Sequence, residues 1–147
     1  MTKEELKQIY YLNKEIKMWQ KELSELQCRS LVKGQEITGM PFSKTNLNTD
    51  KVGEMAIQMA DIDLIIRGKL AEIQIQRKKI IEFISMVDDS LLRQIIYLRN
   101  VSCMSWNQVA NEIGGNNTEG SVRMMYNRFL EGIKVERGNV SGHSNHD

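Results

Sequence analysis

From Ile9 to Leu26 the apolar residues Ile9, Leu12, Ile16, Trp19, Leu23 and Leu26 recur at spacings of three and four, with Lys14, Glu15, Lys17, Lys21, Glu22 and Glu25 among the positions between. That period places all six on one face of a helix and predicts a short coiled-coil-like seam. Thr2-Lys3-Glu4-Glu5 supplies its start: in this capping box the Thr hydroxyl and the Glu carboxylate each satisfy a backbone N–H that has no helical partner. The pattern breaks between Ser30 and Asp50, where Gly34, Gly39, Pro41 and a run of Ser, Thr and Asn predict a connection that no helix crosses. A link longer than roughly 12 to 15 residues is unusual in a compact domain, so this one is expected to be mobile or to have a function of its own.

A second long helix is predicted from about Lys51 to Met86. Met55, Met59, Ile62, Ile66, Leu70, Ile73, Ile80, Ile84 and Val87 form its main face, and Ile57, Leu64, Ile65, Ile75 and Ile81 widen it. So much apolar surface requires a cover, either from the first helix, the last helices or another subunit. A helical hairpin that also self-associates is the economical solution, and packing against the last helices is the alternative.

Asp88-Asp89-Ser90 ends that helix and caps the next, from Leu91 to about Arg99, whose apolar side is Leu91, Leu92, Ile95, Ile96 and Leu98. Ser105-Trp106-Asn107-Gln108 is a second capping box, followed by Trp106, Val109, Ala110 and Ile113 on one stripe. Gly114-Gly115 offers the positive φ that stops a helix and turns the chain. The final helix starts at Asn117 or Thr118 and turns Val122, Met125, Tyr126, Phe129, Leu130 and Ile133 inward, leaving Ser121, Arg123, Met124, Asn127 and Arg128 outward. The fold class is therefore expected to be all-α. An N-terminal long helical hairpin spans 1–87 with its mobile connection at about 30–50, a helix-turn-helix module spans 88–137, and a polar, disordered tail spans 138–147.

Two short helices about a glycine turn, the second presenting polar groups, form the pattern of a helix-turn-helix, and double-stranded DNA is the partner it suggests. Arg matches guanine edges and Asn adenine edges in the major groove, while hydroxyls hold phosphates. Arg123 and Asn127 are the candidate base contacts, and Arg128, Ser121 and Thr118 the candidate backbone contacts. The plain alternative is a helical corner whose polar face meets only water.

Composition adjusts this picture. The chain has 147 residues, 41% hydrophobic and 27% charged, with a single Pro, which suits a helical, soluble protein. No run approaches the roughly 20 apolar residues of a membrane span and the N-terminus lacks a signal-type apolar core, so a cytoplasmic location without membrane contact is expected. Net charge is +1. Between Asp88 and Arg137 the bases Arg93, Arg99, Arg123, Arg128, Lys134 and Arg137 are matched by Asp88, Asp89, Glu112, Glu119, Glu131 and Glu136. Since phosphate neutralisation dominates nonspecific affinity, such a module needs self-association or a second protein to bind DNA tightly.

Catalytic chemistry finds little support. No Gly-rich phosphate loop is present, no Ser or Cys has a credible His partner, and Asp61 and Asp63, two apart on a helix, point to different faces. Cys28 and Cys103 do not suggest a disulfide framework or zinc site, and His143 and His146 have too few companions to hold a metal. Neither enzymatic activity nor a cofactor is expected.

Residues Asp88 to Ile133 resemble region four of bacterial sigma factors. The resemblance rests on Asp88-Asp89, Leu98-Arg99, Ser105-Trp106, Val109-Ala110, Gly114 and Ser121-Val122-Arg123. A longer likeness, which includes Gly39-Met40-Pro41 and Asp50-Lys51-Val52-Gly53, is to small phage and prophage regulators of the RinA and ArpU kind. It implies a regulator of late phage genes for packaging and morphogenesis, acting in the bacterial host on promoter DNA and on RNA polymerase. Two departures stand out: Asn100 follows Leu98-Arg99 where an aromatic is common, and the Gly114–Asn117 turn is long. Small terminase subunits also join such a module to oligomerising helices, and a packaging role is one alternative. A module that binds polymerase without touching DNA is the other.

Overall fold

The computed structural model describes residues 1–36 and 46–140. The middle of the expected connection, and the tail from residue 141 with His143 and His146, lie outside the described residues. Every regular element among the described residues is helical. They are α1 (Lys3–Leu6), α2 (Gln8–Glu36), α3 (Asn46–Ser85), α4 (Ser90–Ile96), a single π-helical turn (Tyr97–Val101), α5 (Trp106–Ile113) and α6 (Glu119–Val140). No described helix is long and apolar enough to cross a membrane.

Several boundaries differ from the sequence expectation. The Thr2 capping box forms, with Thr2 Oγ1 accepting from Glu5 N–H, but it opens only the short α1. The Lys7 N–H then turns back to the Glu4 carbonyl at 3.2 Å, and α2 starts afresh at Gln8. At its other end α2 runs through Ser30 and Gly34 to Glu36, and α3 begins at Asn46, ahead of Lys51. A helical glycine costs only about 1 kcal/mol against alanine, too little to stop a helix otherwise rich in Leu, Lys, Gln and Glu.

The chain forms two compact units, Tyr11–Gln74 and Met1–Tyr10 with Ile75–Asp147. In the first, Ile16 and Leu26 of α2 and Ile62 and Ile66 of α3 make a buried core, with Trp19, Leu23, Met59 and Ile73 packed around it. Leu70, expected on the inner face, is instead 49% exposed. Lys69 takes the more sheltered position, its Nζ 3.1 Å from Glu15 Oε2 and 3.8 Å from Glu72 Oε2. The Glu15 carboxylate, by hydrogen bond and by charge, raises the Lys69 ammonium above its ordinary value of 10.5. Ile57, Leu64, Ile65, Ile75 and Ile81 remain exposed, so the surplus apolar face of α3 is open.

In the second unit Leu6, Ile9, Ile80, Ile95, Ile96, Val109 and Val122 are essentially inaccessible to solvent. Each aliphatic side chain so buried contributes about 1.5–3 kcal/mol. The sequence places a boundary at Asp88, where α3 has indeed ended. Packing nevertheless keeps the last turns of α3 with the helices that follow: the Phe83 and Phe129 rings lie 6.1 Å apart, and Arg93 Nη1 donates to the carbonyls of Val87 and Asp88 at 2.7 and 2.9 Å.

Candidate nucleic-acid interface

Three local devices set the helix that carries the candidate site. Asp89 accepts from Leu91 N–H at 2.9 Å and starts α4. The expected continuous helix to Arg99 then loosens into the π turn, where Ser102 N–H reaches back five residues to the Tyr97 carbonyl. Asn100 accounts for the insertion: its Nδ2 donates to the Ile96 carbonyl at 3.0 Å, placing a side chain into the backbone ladder. Cys103 follows at φ 55° and Met104 N–H donates to the Leu98 carbonyl at 3.0 Å, six residues back, which ends the segment.

Ser105 then opens α5 with the predicted capping box, Gln108 N–H donating to Ser105 Oγ and Ser105 N–H to Gln108 Oε1. Gly114 ends α5 at φ 71° and ψ −160°, a region essentially reserved for glycine, and Gly115 follows at φ 66°. Thr118, rather than Asn117, caps α6. Thr118 Oγ1 accepts from Ser121 N–H at 3.2 Å, and Thr118 N–H donates to Ser121 Oγ at 2.9 Å. The Ser121 hydroxyl donates in turn to the Thr118 carbonyl at 2.9 Å, and Asn117 Nδ2 braces the turn on the Gly114 carbonyl.

A chain of polar and aromatic contacts locks α6 in place. Tyr126 O–H donates to Asn100 Oδ1 at 3.1 Å, and its ring meets the Trp106 indole edge-on at 5.0 Å. On Trp106 stacks the Arg99 guanidinium, 4.6 Å from the ring centroid, which also donates to the Met104 carbonyl at 2.7 Å. Burial pushes the Tyr126 phenol above its ordinary 10.0, against the opposing pull of Asn100 and Arg99. In the sequence Asn100 stands out only as a departure from the sigma-like pattern. The available signal was an amide four residues after Ile96, on an otherwise apolar stripe.

Behind this lock Val122, Tyr126 and Leu130 are buried, every fourth residue along α6. On the other side Arg123, Met124 and Arg128 are exposed and Asn127 is half-buried. Together with Gly120 and Glu131 these four line one open concavity. Arg123, Asn127 and Arg128 are thus brought together, whereas Thr118 and Ser121 sit at the helix start with their hydroxyls engaged in the cap. Among the described residues neither Arg123 nor Arg128 has an ion-pair partner. Two guanidinium groups and an amide on a rigid, outward helix face form a donor array suited to phosphate and base-edge oxygens and nitrogens.

No family model, curated protein or solved structure matches the chain.

Arg93 and Arg99 do not join this array. Both guanidinium groups are spent on backbone carbonyls inside the unit, and only Arg123 and Arg128 of the four described arginines between residues 88 and 133 are available outward.

Proposed function

We propose that this chain is a sequence-specific, DNA-binding transcription regulator, in which α5, the glycine turn and α6 act as a helix-turn-helix with α6 as the reading helix. The observation that carries it is the set of Arg123, Asn127 and Arg128 on one outward face, its two arginines without an ion-pair partner among the described residues, backed by the buried Val122, Tyr126 and Leu130. Arg123 and Asn127 contact base edges, the first fitted to guanine and the second to adenine. Arg128 holds a phosphate. Thr118 keeps its hydroxyl proton for a phosphate oxygen while Oγ1 accepts within the cap. Ser121 O–H donates its hydrogen bond to the Thr118 carbonyl, and the residue acts by setting the helix start.

The sigma-region-four resemblance of residues 88–133 supports a role at promoters, and with it the activation of late phage genes alongside host RNA polymerase. Balanced charge makes tight binding by one protomer unfavourable. The open α3 residues Ile57, Leu64 and Ile75 support a regulator that works as a homo-oligomer through its long helices. That same charge balance favours one rival reading, a module that docks on polymerase and leaves DNA alone.

Binding to duplex fragments from the neighbourhood of its own gene, at two salt concentrations, separates the readings. The regulator binds one fragment preferentially, and Arg123→Ala abolishes the preference while helix content is unchanged. Equal binding by parent and variant removes Arg123 from the interface. Absence of binding at both salts favours the polymerase-docking reading.

A further inference from the structure

Among the described residues Met124 is the one apolar side chain in the outward group of α6, and it is 53% exposed. Its neighbours on that face are Arg123 at i−1, Asn127 at i+3 and Arg128 at i+4, and all four line the same concavity. The helix has no internal need of it, since Val122, Tyr126 and Leu130 already fill the buried side. An apolar chain held among hydrogen-bonding groups suits a target that is polar except at one point. The major groove has that character. Its base edges present donors and acceptors, and the C5-methyl of thymine is the apolar group among them. A methionine side chain is unbranched and polarizable, so it adapts to a methyl group without demanding one angle of approach.

We infer that Met124 is a specificity-determining residue that reads the C5-methyl group of a thymine beside the bases contacted by Arg123 and Asn127. This rests on the DNA-binding reading above. The three side chains then have separate roles, in which the guanidinium selects guanine, the amide selects adenine, and the thioether selects a methylated pyrimidine. A cytosine at that position loses the contact, and a 5-methylcytosine restores it.

The test uses short duplexes enriched by the full chain from a random pool. Thymidine is replaced by deoxyuridine one position at a time, which deletes only the methyl group. At one position the replacement should weaken binding by the parent about fourfold, the worth of one buried methyl-sized group. Met124→Ala should bind the thymine duplex more weakly to a similar degree and be indifferent to deoxyuridine at that position. Met124→Leu should retain the discrimination. Because Met124 is exposed, helix content and Tm should match the parent in both variants. Enriched duplexes on which parent and Met124→Ala respond equally to deoxyuridine would overturn the assignment and leave the DNA reading standing. If the parent enriches no duplex, the DNA reading itself fails and takes this assignment with it.

Discussion

Asn100 is the buried polar side chain among the described residues, 3% exposed, and its amide is used at both ends. Nδ2 donates to its own backbone segment and Oδ1 accepts from Tyr126, so one residue fixes the π turn and α6 together. Tyr126→Phe would strand Oδ1 in the interior and should cost about 1–3 kcal/mol in urea unfolding. Asn100→Leu should cost a similar amount by stranding the phenol. The pair combined should cost less than the sum, because no unsatisfied group is then left. The same phenol makes stability depend on alkaline pH. Its folded value is raised, so in the folded state it keeps a proton that the unfolded state loses. Its contribution is whole below 10.0 and declines as the pH climbs past that value towards the raised folded one. Stability of the parent should fall more steeply over that range than stability of Tyr126→Phe, as unfolding at stepped pH would reveal.

Among the helices and turns, Gly114 and Gly68 show how one substitution takes opposite signs. An added Cβ meets nothing within 4 Å at either position. The difference lies in the backbone: Gly114 sits at φ 71°, whereas Gly68 lies inside α3 without a positive φ. Gly114→Ala should therefore destabilise by about 1–3 kcal/mol, and Gly68→Ala should stabilise by about 0.5–1 kcal/mol. Thermal unfolding of the two variants beside the parent checks both signs. The Gly114 turn was legible because caps and stops are local; so were the Thr2 and Ser105 boxes, each written within four residues. The buried stripe of α6 was legible from its period, and the outward face followed as its complement. The π turn was less so: the Asn100 bond to the Ile96 carbonyl is local, but the Tyr126 phenol that holds the Asn100 amide lies 26 residues away. Lys69 displaced Leu70 for a similar reason, its Glu15 partner lying on another helix. The cap role of Ser121 had a readable sign, the capping-box spacing Thr118 to Ser121 with Ser in place of Glu, but a hydroxyl at a helix start suits a phosphate equally well.

For the whole molecule, charge limits how the proposed DNA partner would be held. The net charge of +1 offers no broad attraction, and Arg93 and Arg99 are bound to carbonyls within their own unit. Arg123 and Arg128 then remain on the reading face. Each phosphate neutralised releases counterions, and the logarithm of the binding constant falls with the logarithm of salt at a slope near −0.9 per phosphate on duplex DNA. With Arg123 and Arg128 the cations of that face among the described residues, the slope should be no steeper than about −2 for one protomer and about −4 for a pair on two half-sites. Arg128→Ala, as a phosphate contact, should make it shallower by about 1 per protomer and weaken all sequences alike. Arg123→Ala should chiefly erase the preference between sequences. A parent slope well beyond these values, measured on its enriched duplex with the oligomeric state fixed by light scattering, would mean that cations elsewhere carry the binding. Arg77, Lys78 and Lys79, exposed on α3, would be the first to replace. A slope within them makes this a protein that selects by the chemistry of α6 and gains affinity from self-association rather than from general attraction to polyanions.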